Sequence, residues 1–146
     1  MRDEDVVVFG FRDIEEAERL KMPPLSATKF KTFNLYQIRE NGIEKSVGEG
    51  LRKLRENNLD GFWIHVDADV LNDEIMPAVD SRQPDGLSYE EFSHILSLLL
   101  SSGEVVGMQV GIFDPDMDET GSIAASFTNA IAVSYTHLTL PTNREV

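Results

Sequence analysis

The sequence predicts an α/β fold, a mainly parallel sheet with helices on both of its faces. Short apolar runs rich in Val, Ile and Phe alternate along the chain with amphipathic stretches, the signature of βαβ units. The strongest run, Trp63-Ile64-His65-Val66-Asp67-Ala68-Asp69, ends in two aspartates, and open parallel sheets bind ligands beyond the carboxyl ends of their strands. At 146 residues and 41% hydrophobic content the chain is the size of one domain with a real core.

Val6-Val7-Val8-Phe9 before Gly10 reads as a short buried strand, and Asp13 is placed to cap an acidic helix from Ile14 to Lys21 that Pro23-Pro24 stops. An extended segment, Lys31 to Tyr36, precedes a helix from Ile43 to Glu56 whose Ile43, Val47, Leu51 and Leu54 share one face. Asn57-Asn58 end it, and the aspartate-bearing strand starts at Gly61. A loop with Pro77, Pro84 and Gly86 follows. Ser88 and Glu91 then form a capping box for a helix with Phe92, Ile95, Leu96 and Leu99 on its apolar face. A second strong strand, Val105 to Phe113, leads into the turn Asp114-Pro115-Asp116-Met117-Asp118-Glu119, and the last helix runs from Gly121 to about Ala132.

With 13 basic and 26 acidic residues the net charge is −13. Such a surface repels nucleic acid and anionic membrane and favours metal ions or cationic ligands. Zero cysteines exclude disulfides and thiolate zinc sites. The acidic start Met1-Arg2-Asp3-Glu4-Asp5 is unlike a secretory signal, and no apolar run approaches the ~18 residues of a membrane span. The expected compartment is the cytosol.

On a regular strand His65, Asp67 and Asp69 point to one face. Two adjacent carboxylates repel, and a hard divalent cation between them is the usual remedy. The bland alternative is one aspartate capping a turn while the other pairs with Arg or Lys. His65 is then a packed strand residue, or a partner that orients a metal-bound aspartate. Asp114, Asp116 and Asp118 mimic a calcium loop, but Glu119 stands where the sharp turn needs glycine and Ala125 where the bidentate glutamate belongs. These acids suit a helix N-terminus better. His94 lies on an amphipathic helix near Glu90 and Glu91 and is expected to face solvent.

Beyond Asp69 the spacing resembles a signature of the ureohydrolase superfamily, the arginase, agmatinase and formimidoylglutamase relatives. Its order is Ser or Thr, any, Asp, apolar, Asp, three residues, Pro, three residues, Pro, small, seven residues, Gly. Here these positions are His65, Asp67, Asp69, Asp73, Pro77, Ala78 and Gly86. His65 replaces the Ser or Thr and Asp73 the first Pro. Gly10-Phe11-Arg12-Asp13 resembles the family's Gly-Leu-Arg-Asp strand end, and Ile112-Phe113-Asp114-Pro115 its strand ending in Val-Asn-Pro.

The resemblance implies the C-terminal portion of an arginase-like fold, three-layer αβα, over residues 1–132. It also implies a hydrolase of linear C–N bonds that holds two Mn²⁺ ions and takes a small cationic or amidino substrate, and a homo-oligomer when intact. The metals' role would be to lower the pKa of an attacking water. Asp67 and Asp69 would be two of six metal ligands. The other four belong to Gly-Asp-His and Asp-Ala-His-x-Asp segments that this sequence lacks, so the chain is expected to be a fragment inactive by itself. Guanidino-cleaving relatives carry Glu where this chain has Ile112; another acid, Asp114 or Asp80, could substitute. Glu15 aligns with an acid that in some relatives reads the substrate's amino end, although a first-turn glutamate also favours the helix dipole.

Two other readings compete. Haloacid-dehalogenase-like phosphatases also place Asp-x-Asp at a strand end, but they need a downstream lysine, and none follows Lys53. A non-catalytic paralogue acting as an oligomerisation or interaction subunit is favoured by Ile112. Finally, residues 133–142 resemble the translation of transposon-adapter DNA used in preparing sequencing libraries; the bland alternative is an ordinary β-prone terminal segment. Residues 133–146, His137 among them, are therefore expected to be a non-native tail.

Overall fold

The computed structural model describes residues 1–139, with side chains as far as Thr136. Strand β1 (Val7–Phe11) is followed by helix α1 (Ile14–Arg19), strand β2 (Lys31–Asn34), and helices α2 (Leu35–Asn41) and α3 (Ile43–Arg55). Strand β3 (Phe62–Asp67), helix α4 (Tyr89–Ser101), strand β4 (Val105–Gly111) and helix α5 (Ser122–Thr139) complete the order. Both strand pairs, β1 with β2 and β3 with β4, are parallel, as the alternation of strands and helices requires.

Three local differences from the sequence reading have physical causes. The segment expected to stay extended to Tyr36 turns helical at Leu35, because Asn34 and Gln37 form a capping box with both reciprocal bonds made. Asp13 precedes α1 at the cap position, yet its side chain makes no capping bond. The last helix does not stop near Ala132 but continues to Thr139, and Ser134 is fully buried, its hydroxyl donating to Ala130 O at 3.0 Å. Part of the expected tail, residues 140–146, and the side chain of His137 lie outside the described residues.

The core sits on one face of β3. Ile64, Val66 and Ala68 point into it and meet Phe92, Ile95, Leu96, Leu99 and Leu100 of α4, with Val47 of α3 and Phe127 of α5. α4 packs between α3 and α5. Trp63, His65 and Asp67 alternate to the opposite, exposed face. No helix among the described residues is long and apolar enough to cross a membrane.

Candidate metal centre

The strand that carries the site is shorter than its sequence suggests. β3 ends at Asp67, and Ala68–Val70 form a single 3-10 turn, so Asp69 projects from a turn and not from the next position of a regular strand. Ala68 is buried beneath it. Asp67 stays on the exposed face with His65, and the two are joined, His65 Nε2 to Asp67 Oδ1, at 3.0 Å. Gln109 of β4, level with His65 in the ladder, reaches Nδ1 of the same ring at 2.8 Å.

The two aspartates feel each other. Burial, and then the charge of Asp67, push the Asp69 carboxyl above its usual range; Arg12 opposes this, and Asp13 and Asp80 add to it. Three chain segments thus converge on Asp69: the end of β1 with Arg12 and Asp13, the end of β3, and the loop carrying Asp80. Arg12 is held in place by carbonyls, with Nε donating to Pro84 O at 3.1 Å and Nη2 to Gln83 O at 3.1 Å. The sequence marked Asp67 and Asp69 but not this surrounding field, which only the meeting of β1 with the loop creates.

The loop that follows is closed on itself. Asn72 N donates to Leu87 O and Leu87 N to Val70 O, both at 2.9 Å, so the excursion through Pro77 and Pro84 returns to its starting point. Met76, Ala78 and Val79 are buried within it, and Asp114 N donates to Ala78 O at 2.8 Å, tying the loop to the end of β4. Ala78 is fully buried in the loop. Asp73 forms an ion pair with Arg82 across this loop.

The remaining candidates separate. Glu15 is exposed in the first turn of α1, while its neighbour Glu16 bonds Gln83 and Arg19. Asp114 accepts from Asp116 N at 2.9 Å, and Asp118, 9% exposed, accepts from Ile123 N and Ala124 N at 3.2 and 2.8 Å. The acidic turn is therefore the N-terminal anchor of α5, satisfying backbone donors that a helix start leaves unpaired. His94 is exposed and pairs with Glu44 of α3 at 3.3 Å. Ile112 is 47% exposed and held at φ 70°, a conformation rare for a β-branched residue.

Asp67 and Asp69 are neighbouring carboxylates, one of them partly buried, and such a pair suits a hard cation. No group of three or more metal-ligating side chains assembles among the described residues. Among the described residues, the donors offered to a cation at this strand end are thus the two carboxylates of Asp67 and Asp69.

Fold and site define an α/β protein with an acidic centre at the carboxyl end of a parallel strand. The arginase family profile matches residues 1–137, and the chain belongs to that family. It is 26% identical over 135 residues to an arginase of Staphylococcus aureus (strain MRSA252), spanning 92% of this chain and 44% of that protein. An arginase of Brucella melitensis is 28% identical over 129 residues, 88% of this chain and 40% of that protein. Among solved structures, arginase from Bacillus caldovelox superposes with a TM-score of 0.77 at 20% identity over 97% of this chain and 45% of its own. Formimidoylglutamase from Bacillus subtilis gives 0.74 at 21% identity, over 94% and 43%. The arginase-like fold is common to all of it, and the chain spans less than half the length of these relatives.

Proposed function

We propose that this chain is the part of an arginase-family hydrolase of linear C–N bonds that contributes Asp67 and Asp69 to a binuclear manganese site. One observation carries the reading: two carboxylates stand where β3 ends, one of them half-buried, with its proton affinity raised by burial and then by the charge of the other. A cation between them relieves that repulsion. Held by Asp67 and Asp69, Mn²⁺ would supply the Lewis acidity that activates water for attack on a C–N carbon.

The protein's own contributions are local. His65 holds one oxygen of Asp67, the closed loop fixes Asp69 through the turn at Ala68–Val70, and Arg12 moderates the negative field. The surrounding acids Asp13 and Asp80 favour a small cationic or amidino substrate over an anionic one. Two ligands are too few for tight binding, so the chain alone holds Mn²⁺ weakly and is inactive. In the intact protein the site is completed by ligands outside this sequence, in a cytosolic homo-oligomer.

Ile112 favours a second reading. Its exposed apolar side chain occupies the place where guanidino-cleaving relatives carry glutamate, which suits a non-catalytic paralogue serving as an interaction subunit. Metal analysis of the intact gene product separates the two. About two Mn²⁺ per subunit supports the hydrolase; no metal at saturating Mn²⁺ supports the paralogue. Calorimetry of the present chain tests the partial site: tight stoichiometric Mn²⁺ uptake would overturn it.

A further inference from the structure

The exposed face of the β3–β4 ladder is built around three side chains laid across a neighbouring strand that is almost bare. Trp63, His65 and Asp67 of β3 stand level with Gly107, Gln109 and Gly111 of β4. A Cβ at Gly107 would lie 2.1 Å from the Trp63 ring. One at Gly111 would lie 3.4 Å from His65 Cε1 and 3.5 Å from Asp67 Oδ1. The two glycines leave the space that Trp63 fills and that His65 and Asp67 border. Gln109 between them provides the one long polar side chain, and it is bonded to His65.

The bond fixes a chemical state. A neutral imidazole has one N–H and one lone pair, and which nitrogen carries the proton is decided by its partners. The Gln109 amide nitrogen is a donor only, so the Nδ1 it meets at 2.8 Å is the acceptor. The proton then resides on Nε2, and Nε2–H donates to Asp67 Oδ1 at 3.0 Å. With the opposite tautomer a lone pair on Nε2 would face a carboxylate oxygen, which is repulsive.

Resting on the metal reading above, we propose that Gln109 is a positioning residue. By holding His65 as its Nε2–H tautomer it pins Oδ1 of Asp67 and leaves Oδ2 for the cation. The imidazole orients the carboxylate as partners of metal ligands commonly do, here across a strand pair, with the polar end of the relay at Gln109. Among the described residues the hydrogen bonds of the ring are these two.

The test reads the ring directly. The 146-residue chain has three histidines, and long-range proton–nitrogen correlation on histidine labelled with nitrogen-15 reports which ring nitrogen is protonated, with His65→Asn giving the assignment. The expected result is a single Nε2–H pattern for His65. Gln109→Leu, which removes the donor to Nδ1, should weaken the preference for the Nε2–H form, and Gln109→Glu, which offers an acceptor in place of the donor, should move the proton to Nδ1. Circular dichroism checks that these exposed substitutions leave the fold intact. An Nδ1–H or mixed pattern in the unsubstituted chain, or an unchanged pattern in both variants, overturns the proposal.

Mn²⁺ alone is the second probe. Its affinity should fall about 10-fold in Gln109→Leu, as for other lost partners of metal ligands, and an unchanged affinity counts against the positioning role. If the unsubstituted chain shows no Mn²⁺-dependent broadening at all while the tautomer pattern holds, the metal reading fails and the Gln109–His65 relation stands. The reverse outcome separates them the other way.

Discussion

Arg39 of α2 grips Glu91 of α4 with two bonds, Nε to Oε1 at 2.8 Å and Nη2 to Oε2 at 3.1 Å, and Glu91 is also the residue that closes the α4 cap on Ser88 N. Its Nη1 reaches Asp85 at 3.0 Å and Nη2 the carbonyl of Gly86 at 2.9 Å. One guanidinium thus joins α2, the start of α4 and the returning end of the site loop. Most surface ion pairs contribute little, but this one is two-pronged and networked.

Replacing Arg39 by methionine should therefore lower unfolding stability by about 1–3 kcal/mol, from lost charge-assisted bonds and a partly unsatisfied Gly86 carbonyl. Arg39→Lys should restore only a minor part, since an ammonium cannot present the planar fork. Urea titration of the two variants measures both. Equal stability of Arg39→Met and the unsubstituted chain would remove the network from the account of this loop.

The same cluster gives an acid limb to stability. The hydrogen bond from Arg39, with help from Ser88 N–H, holds Glu91 below the usual carboxylate range. Burial pushes Asp85 up, but the bonds from Arg39 and Gly86 N–H and the charge of Arg39 outweigh it, leaving Asp85 lowered as well. Groups with folded pKa values below their unfolded ones stabilise the fold above the unfolded value, about 4, and lose that contribution as pH falls through the folded value. Stability should be level from about pH 7 to about pH 5 as far as this cluster is concerned, and should drop below about pH 4. Chemical denaturation at several pH values should show a shallower drop in Arg39→Met, and an identical acid limb in that variant would assign the effect to other carboxylates.

Gly86 tests why the sequence signature ends in glycine. Its φ is +128°, and an added Cβ would lie 2.5 Å from Leu71 O and Asn72 N, backbone atoms that cannot swing aside. Gly86→Ala should cost about 2–4 kcal/mol through strain and the opened Leu71–Leu87 closure. Thermal unfolding gives the loss, and protection of the Leu87 amide from hydrogen exchange localises it. Full protection in a folded Gly86→Ala chain would show that the loop absorbs the methyl.

These cases show what the sequence could and could not convey. α4 was legible because Ser88 and Glu91 advertise its start and Phe92, Ile95, Leu96 and Leu99 its buried face, all within one helix. α2 was missed although Asn34 and Gln37 carry the same kind of box; with only Leu35 and Ile38 buried, its seven residues are too short for a periodic signal. Asp67 and Asp69 were found by local spacing. The field around Asp69 and the bond from Gln109 to His65 were not, because both depend on which strand lies beside which and in what register.

Asp69 offers the sharpest contrast between stability and site. Its carboxylate is disfavoured in the fold by burial and by Asp67, with Arg12 compensating only in part. Asp69→Asn keeps the shape and removes the charge, so the metal-free chain should become more stable, by at most about 1 kcal/mol once solvent screening of a half-exposed group is allowed for. The gain should be seen at neutral pH and vanish in acid, where the aspartate is itself neutral. The same substitution removes an anionic donor and should weaken Mn²⁺ binding, the opposite direction from its effect on folding. Paired measurements of denaturation midpoint and Mn²⁺ affinity decide it. A variant that loses stability without metal would mean that the Asp69 carboxylate holds the turn together, and the case for a cation at this strand end would lose its main physical support.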